Sequence, residues 1–379
     1  MNVTLILHYS KTETGGGPTG VAYNTLEGLQ KISRRLEKED IHIHILSTTG
    51  TSLHPVYEKD DNCSNITIEY FKQPPPTALL SDVFYFLNLK KKKERIDILH
   101  SHDPAGAVVG TFLKTPTILT LHGMYWREKY YSPDLYSRFA IELKIRRVKY
   151  LSSRLKKLIA ISPYVIDEIG QLLKTAIPDT AVIENPLSDV FFEQEKREKE
   201  GLILYPANIS SLKNQYTLIE ALNQVKLENR SFHCILPGRI AESKYYRDLK
   251  ELIRKNNLEK NISFPGNAGL EQMLSFYSEA SITVLTSFQE TAPMIISEAM
   301  ATGTPVIASR IAGIPAMVSE NNSGFLINPH DPTEIADKIV TLLDDRLLRK
   351  KMGEESRRIA ASRWKSDVIA TKLINEYTH

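Results

Sequence analysis

Cysteine is almost missing: two residues in 379, Cys63 and Cys234, far apart in the chain. They make no CxxC pair, no zinc spacing and no disulfide framework, so a reducing compartment is expected. Net charge is nearly missing too, at +3, and bulk charge gives no pointer to a nucleic-acid partner; none is expected. No apolar run reaches the roughly 20 residues of a membrane-spanning helix. The opening MNVTLILHYS has no basic stretch ahead of its apolar residues and no cleavage pattern, so it reads as a first strand and not a secretion signal. A cytoplasmic location is the expectation. No GxGxxG follows a strand, which disfavours a dinucleotide cofactor. No DxD-type acidic pair stands near a strand end, so neither metal nor cofactor is expected. Internal repeats and low-complexity tracts are also absent.

What remains is an ordinary globular composition, 42% hydrophobic and 25% charged, with length enough for two cores. Short apolar segments at 3–9, 41–48, 97–102, 116–122 and 157–162 read as strands. A helical pattern occupies 21–38, and a long basic amphipathic helix is predicted over 134–156. The rhythm pauses at 185–201, NPLSDVFFEQEKREKEG, where charge is dense and a proline and a glycine punctuate the chain. It resumes with strands at 202–207, 232–238, 262–266, 281–287, 305–309 and 324–329. Asp331, Pro332 and Glu334 mark the start of a helix over 331–345. The last stretch, SRWKSDVIATKLINEY, is one more amphipathic helix. Such alternation predicts an α/β fold of two doubly wound parallel sheets in tandem, with ligands outside the carboxyl ends of the strands. The domains expected are 1–188 and 201–360, with a linker at 189–200 and a final helix at 361–379.

One strand–loop–helix–strand unit carries chemistry: SITVLTS, FQETA, then PMIISEAMAT closed by Gly303 and Pro305. Pro293 suits the first helical turn, where a missing N–H is no loss. The N–H groups of Met294 and Ile295 then face outward at the positive end of the helix dipole, a site for a phosphate or diphosphate. Glu290 precedes that helix start and suits sugar hydroxyls; Glu298, in the second turn, suits a ribose diol. Acidic residues near a helix start are also favoured by the dipole alone, so the pair needs company. The glycine-rich TETGGGPTGVAYN after the first strand offers close backbone approach at another helix start. His122, beside Gly123, ends a strand in LTLHGMYW. Lys213 in LYPANISSLKN and Arg239 in LPGR are candidate phosphate cations.

Together these residues resemble glycosyltransferase family 4. The match is the E-x7-E motif from Glu290 to Glu298, supported by Gly16-Gly17, His122-Gly123, SPY at 162–164, ENP at 184–186 and SSLKN at 210–214. The resemblance implies a GT-B fold, two facing Rossmann-like domains with a cleft between them, and transfer from a nucleotide sugar with retention. It places Glu290 on the donor sugar, Glu298 on the ribose, Lys213 on the diphosphate and His122 near the reacting carbon. Asn208, Thr291, Ala292, Met294 and Ile295 join the donor site, Gly16 and Gly17 line the phosphate or acceptor side, and the base sits near Gly266 and Asn267. The final helix, with Trp364, crosses back to the N-terminal domain. Two departures stand out. Ala207-Asn208 replace the usual Gly-Arg, leaving Arg239 as the candidate second cation. Ala292-Pro293 replace the usual Phe-Gly, and proline cannot donate.

The function implied is hexosyl transfer, with UDP-glucose the donor favoured by family frequency, to a sugar or lipid-linked glycan in polysaccharide or glycoconjugate synthesis. A nucleotide-sugar epimerase and a nucleotide-sugar binder without turnover are the alternatives. LKKKKER at 89–95 and the basic residues of 134–157 also suit an anionic membrane at the inner face, although a solvated helix face is the commoner reason for such charge.

Overall fold

The computed structural model describes residues 1–9, 17–47, 56–70, 77–90, 95–129, 135–173 and 177–378. It falls into two compact units, Met1–Pro186 with Ser366–His379, and Leu187–Lys365. Each is a sheet of short apolar strands covered by helices.

The first unit holds eight strands: β1 (Asn2–Leu7), β2 (His42–Ser47), β3 (Val56–Lys59), β4 (Ile66–Tyr70), β5 (Ile98–Ser101), β6 (Thr117–Leu121), β7 (Lys157–Ala160) and β8 (Thr180–Val182). Their order is β3-β4-β2-β1-β5-β6-β7-β8, parallel except for the β3–β4 pair. The central β5 and β6 are buried at every position, as expected of strands covered on both faces. The chain builds outward from β1 in one direction, then returns to β5 and builds in the other. That reversal opens the carboxyl ends of β1 and β5, the usual ligand position in such sheets.

The second unit repeats the plan with β9 (Leu202–Leu204), β10 (His233–Pro237), β11 (Ile262–Gly266), β12 (Ile282–Leu285), β13 (Val306–Ser309) and β14 (Gly324–Ile327). The order is β11-β10-β9-β12-β13-β14 and all pairs are parallel. Its reversal lies between β9 and β12.

Several expectations need correcting. The segment 189–200 is no free tether: it packs into the second unit. The Lys196 ammonium donates to the Tyr277 and Ala280 carbonyls at 3.0 and 2.5 Å and to Thr304 Oγ1 at 2.5 Å, and the Arg197 N–H donates to Ser278. Dense charge there serves buried acceptors. Trp364 closes the helix Arg346–Trp364 and lies in the second unit's core at 1% exposure, while the next helix, Ser366–Thr378, belongs to the first unit. The 21–38 helix breaks at Ile32 into Pro18–Lys31 and Ser33–Lys38. Pro293 sits one residue ahead of the helix Met294–Ala301, with an extended ψ of 122°, and not in its first turn. The missing N–H still costs nothing, because an N-cap N–H is outside the helical ladder. Alternation also overlooked β3, β4 and β8 and the helices Thr77–Lys90, Pro104–Phe112 and Pro163–Leu173.

Candidate active site

In the second unit the two loops at the sheet reversal meet. After β9 the chain runs beside the end of β10: Ala207 and Ile209 donate to the Pro237 and Arg239 carbonyls. This approach requires Gly238, at φ +154°, where a Cβ would stand 2.0 Å from the Ala207 oxygen. Lys213 follows, at the end of a single 3-10 turn, and Asn214 then takes a left-handed conformation at φ 55°, ψ 43° to cap the next helix. Asn214 is the anchor. Its amide donates to the Thr286 carbonyl at 3.1 Å and the Pro329 carbonyl at 2.8 Å, and its oxygen accepts from Thr217 Oγ1 at 2.9 Å. Tyr205 adds a hydroxyl that donates to the Lys213 carbonyl. Lys213 is thereby fixed, and its ammonium forms an ion pair with Glu290 Oε1 from the loop after β12. The two side chains are 21% and 11% exposed, far from the solvated regime in which ion pairs count for little.

Glu290 also receives the Gly313 N–H on its backbone carbonyl, at 3.1 Å. Thr291 and Ala292, both half-buried, lead through Pro293 to Met294, whose N–H and that of Ile295 begin the helix without intrahelical partners. Glu298 is oriented by the Tyr277 hydroxyl, which donates to its Oε2 at 2.7 Å. Burial raises the Glu298 carboxyl above the ordinary carboxylate range, and that hydrogen bond opposes the shift. Asn208 and Arg239 are exposed on the rim, on adjoining backbone. Gly266, at φ +83°, has open space around it and is joined to the Gly238 N–H, and Asn267 beside it is exposed. Phe288 and His330 stack at 4.7 Å on the same edge.

In the first unit, His122 follows β6 and pairs through Nε2 with Nδ1 of His102, at 2.8 Å, at the end of β5. Behind them His100 bonds Tyr377 Oη at 2.6 Å and Thr120 Oγ1 at 2.7 Å. Burial pushes His122 down to about 4, with Asn185 pulling the other way, and His100 down to about 3, helped by His122; His102 is also lowered, by burial and then by its two neighbours. The three rings are therefore neutral near pH 7. His102 and His122 share a small pocket with Thr25, Glu184 and Asn185, and His102 Nε2 is buried with no partner among the described residues. The His122 Nε2 and His102 Nδ1 nitrogens face each other, and among the described residues no three His, Cys, Asp or Glu side chains are grouped to hold a metal.

Gly17 is exposed at φ 78°, capping the helix Pro18–Lys31, with open space around it. Gly16 lies outside the described residues. Glu184 accepts from Lys372 at 3.2 Å, and the Pro186 carbonyl accepts from Asn24 at 2.9 Å. The helix Pro163–Leu173 starts within SPY, at its proline. Sequence reasoning passed over His102, although it ends a strand just as His122 does. It also passed over Tyr205, Asn214 and Tyr277, whose roles rest on contacts distant in sequence.

Residues 28–189 match the family described as Glycosyltransferase Family 4, and residues 188–359 match Glycosyl transferases group 1. An uncharacterized glycosyltransferase of Methanocaldococcus jannaschii, MJ1178, is 26% identical over 92% of this chain and 93% of its own. The N-acetyl-alpha-D-glucosaminyl L-malate synthase of Bacillus anthracis is 22% identical over 76% of this chain and 74% of its own. The structure of Anabaena Alr3699/HepE in complex with UDP superposes with a TM-score of 0.73 at 17% identity, covering all of both chains.

Proposed function

This chain belongs to the family 4 type of glycosyltransferase and has the GT-B fold, and we propose that it moves a hexose from a UDP-sugar, UDP-glucose first among them, to a glycan hydroxyl. The observation that carries this reading is the Lys213–Glu290 pair at the reversal of the second sheet, just ahead of the Met294–Ala301 helix start. A cation and two free N–H groups suit a diphosphate, and a carboxylate beside them suits sugar hydroxyls. The binding of UDP by Alr3699/HepE supports the choice of nucleotide. The glucosaminyl name of the Bacillus relative makes an N-acetylhexosamine the donor to compare.

In this reading the leaving diphosphate draws Lys213 away from Glu290, which is then free to hold the sugar. Stabilisation of the developing negative charge by the ammonium, the helix amides and Arg239 supplies most of the catalysis. No metal enters. Glu298 accepts from the ribose, Gly266 and Asn267 border the base, and Asn208, Thr291 and Ala292 line the donor. His122, neutral, can offer a hydrogen bond to a hydroxyl without carrying a positive charge. Pro293 takes away one donor at the hexose, so the sugar is held more by side chains than by backbone amides. Attack from the face the leaving group vacates gives retention, with no protein nucleophile: the acceptor oxygen bonds the anomeric carbon, the diphosphate leaves with the bonding pair, and the acceptor proton passes to a diphosphate oxygen.

The test is a screen of UDP-, GDP- and ADP-sugars for nucleotide release with glycan acceptors, with the product anomer read by NMR. A UDP-sugar with EDTA-resistant turnover and a retained anomer is expected. Conversion of donor without acceptor into an epimeric sugar, or tight binding without product, overturns the reading.

A further inference from the structure

Seven of the fourteen large apolar side chains that stand exposed among the described residues lie on three helices of the first unit: Thr77–Lys90, Pro104–Phe112 and Leu135–Leu151. These helices form one layer. Arg147 on the third reaches Asp82 on the first at 2.6 Å, and Phe112 at the end of the second stacks on Tyr150 of the third at 6.1 Å.

The pattern on Leu135–Leu151 is specific. Ile145, Val148 and Leu151 form the buried stripe. On the opposite face Leu135, Phe139, Arg146 and Tyr150 fall four, eleven and fifteen residues apart from the first, which on a helix is one line. Leu135 is 83% exposed and Phe139 50%. Phe112, stacked on Tyr150 at the far end of that line, is 66% exposed. A solvated charged face does not present leucine and phenylalanine in that way. Scattered apolar residues are ordinary on a protein surface, but a grouping over one layer marks a contact face.

The charges divide. Arg147 and Lys157 turn inward, to Asp82 and to Glu376 and Asp179, and serve the fold. Arg146, with its side chain 75% exposed although it lies 3.6 Å from Glu142 on the same line, Lys149, and Arg154, stacked over Tyr150 at 4.1 Å, remain around the apolar line. Large apolar tips ringed by flexible cations are what an interfacial helix offers to a bilayer: hydrocarbon to the acyl boundary and cations to lipid phosphates. Two copies meeting on this face would bring like charges together, which disfavours a dimer.

We propose that this three-helix face docks the protein on an anionic lipid surface, with Phe112, Leu135 and Phe139 entering the interface and Arg146, Lys149 and Arg154 at the phosphate level. The reading of the chain as a glycosyltransferase gives the face a purpose, a hydroxyl acceptor carried by lipid, but the binding itself does not depend on that reading. The experiment is flotation of the full chain, with no donor present, on vesicles of phosphatidylglycerol and phosphatidylcholine against phosphatidylcholine alone. Flotation only with the anionic vesicles is expected, reduced at least tenfold in partition by 0.5 M salt. The triple variant Phe112→Ser, Leu135→Ser, Phe139→Ser, and separately Arg146→Glu with Lys149→Glu, should each lose at least tenfold with unchanged circular dichroism and thermal midpoint. Wild-type protein that stays at the bottom with anionic vesicles overturns the proposal. So do variants that float like wild type, and so does a concentration-dependent dimer that the same substitutions abolish. Because flotation reads no turnover, its failure leaves the proposed reaction standing, and an inactive enzyme that floats separates the two in the other direction.

Discussion

The two sheets reverse direction in the same way and furnish the reversal with opposite chemistry. At the ends of β5 and β6 stand imidazoles that burial holds neutral, bonded to each other and to hydroxyls. At the ends of β9 and β12 stand a lysine and a glutamate in an ion pair, before an amide-rich helix start. A doubly wound sheet dictates where a ligand is met and leaves its charge to the loops. Neutral donors and acceptors suit hydroxyls; a cation with free amides suits a diphosphate. The shared topology thus explains the position of both clusters, and the local burial explains why one carries charge and the other does not.

The sharpest way to break this contrast is to remove charge from the second cluster. Lys213→Ala and Glu290→Ala should each lower turnover by about 10²–10³-fold, the scale of losing one electrostatic contact to a developing charge. Since each residue is the other's partner, the double variant should be little worse than the poorer single one. Initial rates of nucleotide release with acceptor measure this. Rates within a few-fold of wild type would remove both residues from the reaction.

The neutrality of the first cluster has its own signature in stability. His100 and His122 titrate near 3 and 4 in the folded chain, against about 6.5 when unfolded. Between those values the unfolded chain binds the protons that the folded chain refuses, so stability falls as pH drops below about 6.5 and levels off near 3 to 4. The slope is at most about 1.4 kcal/mol per pH unit for each histidine. Thermal midpoints of wild type and His100→Gln from pH 7 to 4.5 should converge as pH falls. Parallel curves would show that the ring is not held neutral.

A smaller effect separates positioning from chemistry. Asn214→Ala removes the clamp on Thr286 and Pro329 and leaves two buried carbonyls short of a donor, at a cost of about 1–3 kcal/mol. Its left-handed backbone adds strain for alanine. Urea unfolding should report the loss, and turnover should fall with Lys213 still present, because the lysine is no longer aimed. Full activity at reduced stability would mean that Asn214 serves the fold alone.

Much of this plan was legible from strand composition, since buried parallel strands read as short β-branched runs and their carboxyl ends locate the loops. That logic put His122, Lys213 and Glu290 in loops after strands and Glu298 in the helix that follows, which is where they lie. What stayed hidden depends on partners far along the chain. Lys196 looks like linker charge until the Tyr277 and Ala280 carbonyls are seen to need a donor. Trp364 looks like part of the closing helix until the core that buries it is known. β3 and β4 pair antiparallel at an edge, outside the strand–helix rhythm. On the helix Leu135–Leu151 the charge was plain in the sequence, but that Arg147 turns inward was settled by Asp82, which is not on that helix.

The smallest expected effect probes the second cluster's other carboxylate. Burial raises Glu298, and the Tyr277 hydroxyl works against that shift by favouring the ionised form. Tyr277→Phe removes the hydroxyl while keeping the ring that packs edge-on against Phe191 at 6.1 Å. The Glu298 carboxyl should then rise further, so that it is protonated over a wider range on the acid side and accepts less well from a ribose hydroxyl. A hydrogen bond to a neutral or weakened partner is worth about 0.5–1.5 kcal/mol, which is roughly a two- to tenfold rise in KM for the donor with kcat nearly unchanged, the pattern of binding lost equally in ground and transition states. The rise in KM toward acid pH should also begin at a higher pH than in wild type. A change in kcat alone, or a KM profile that does not move with pH, would place Glu298 away from the ribose and leave Tyr277 as a core residue with a satisfied hydroxyl.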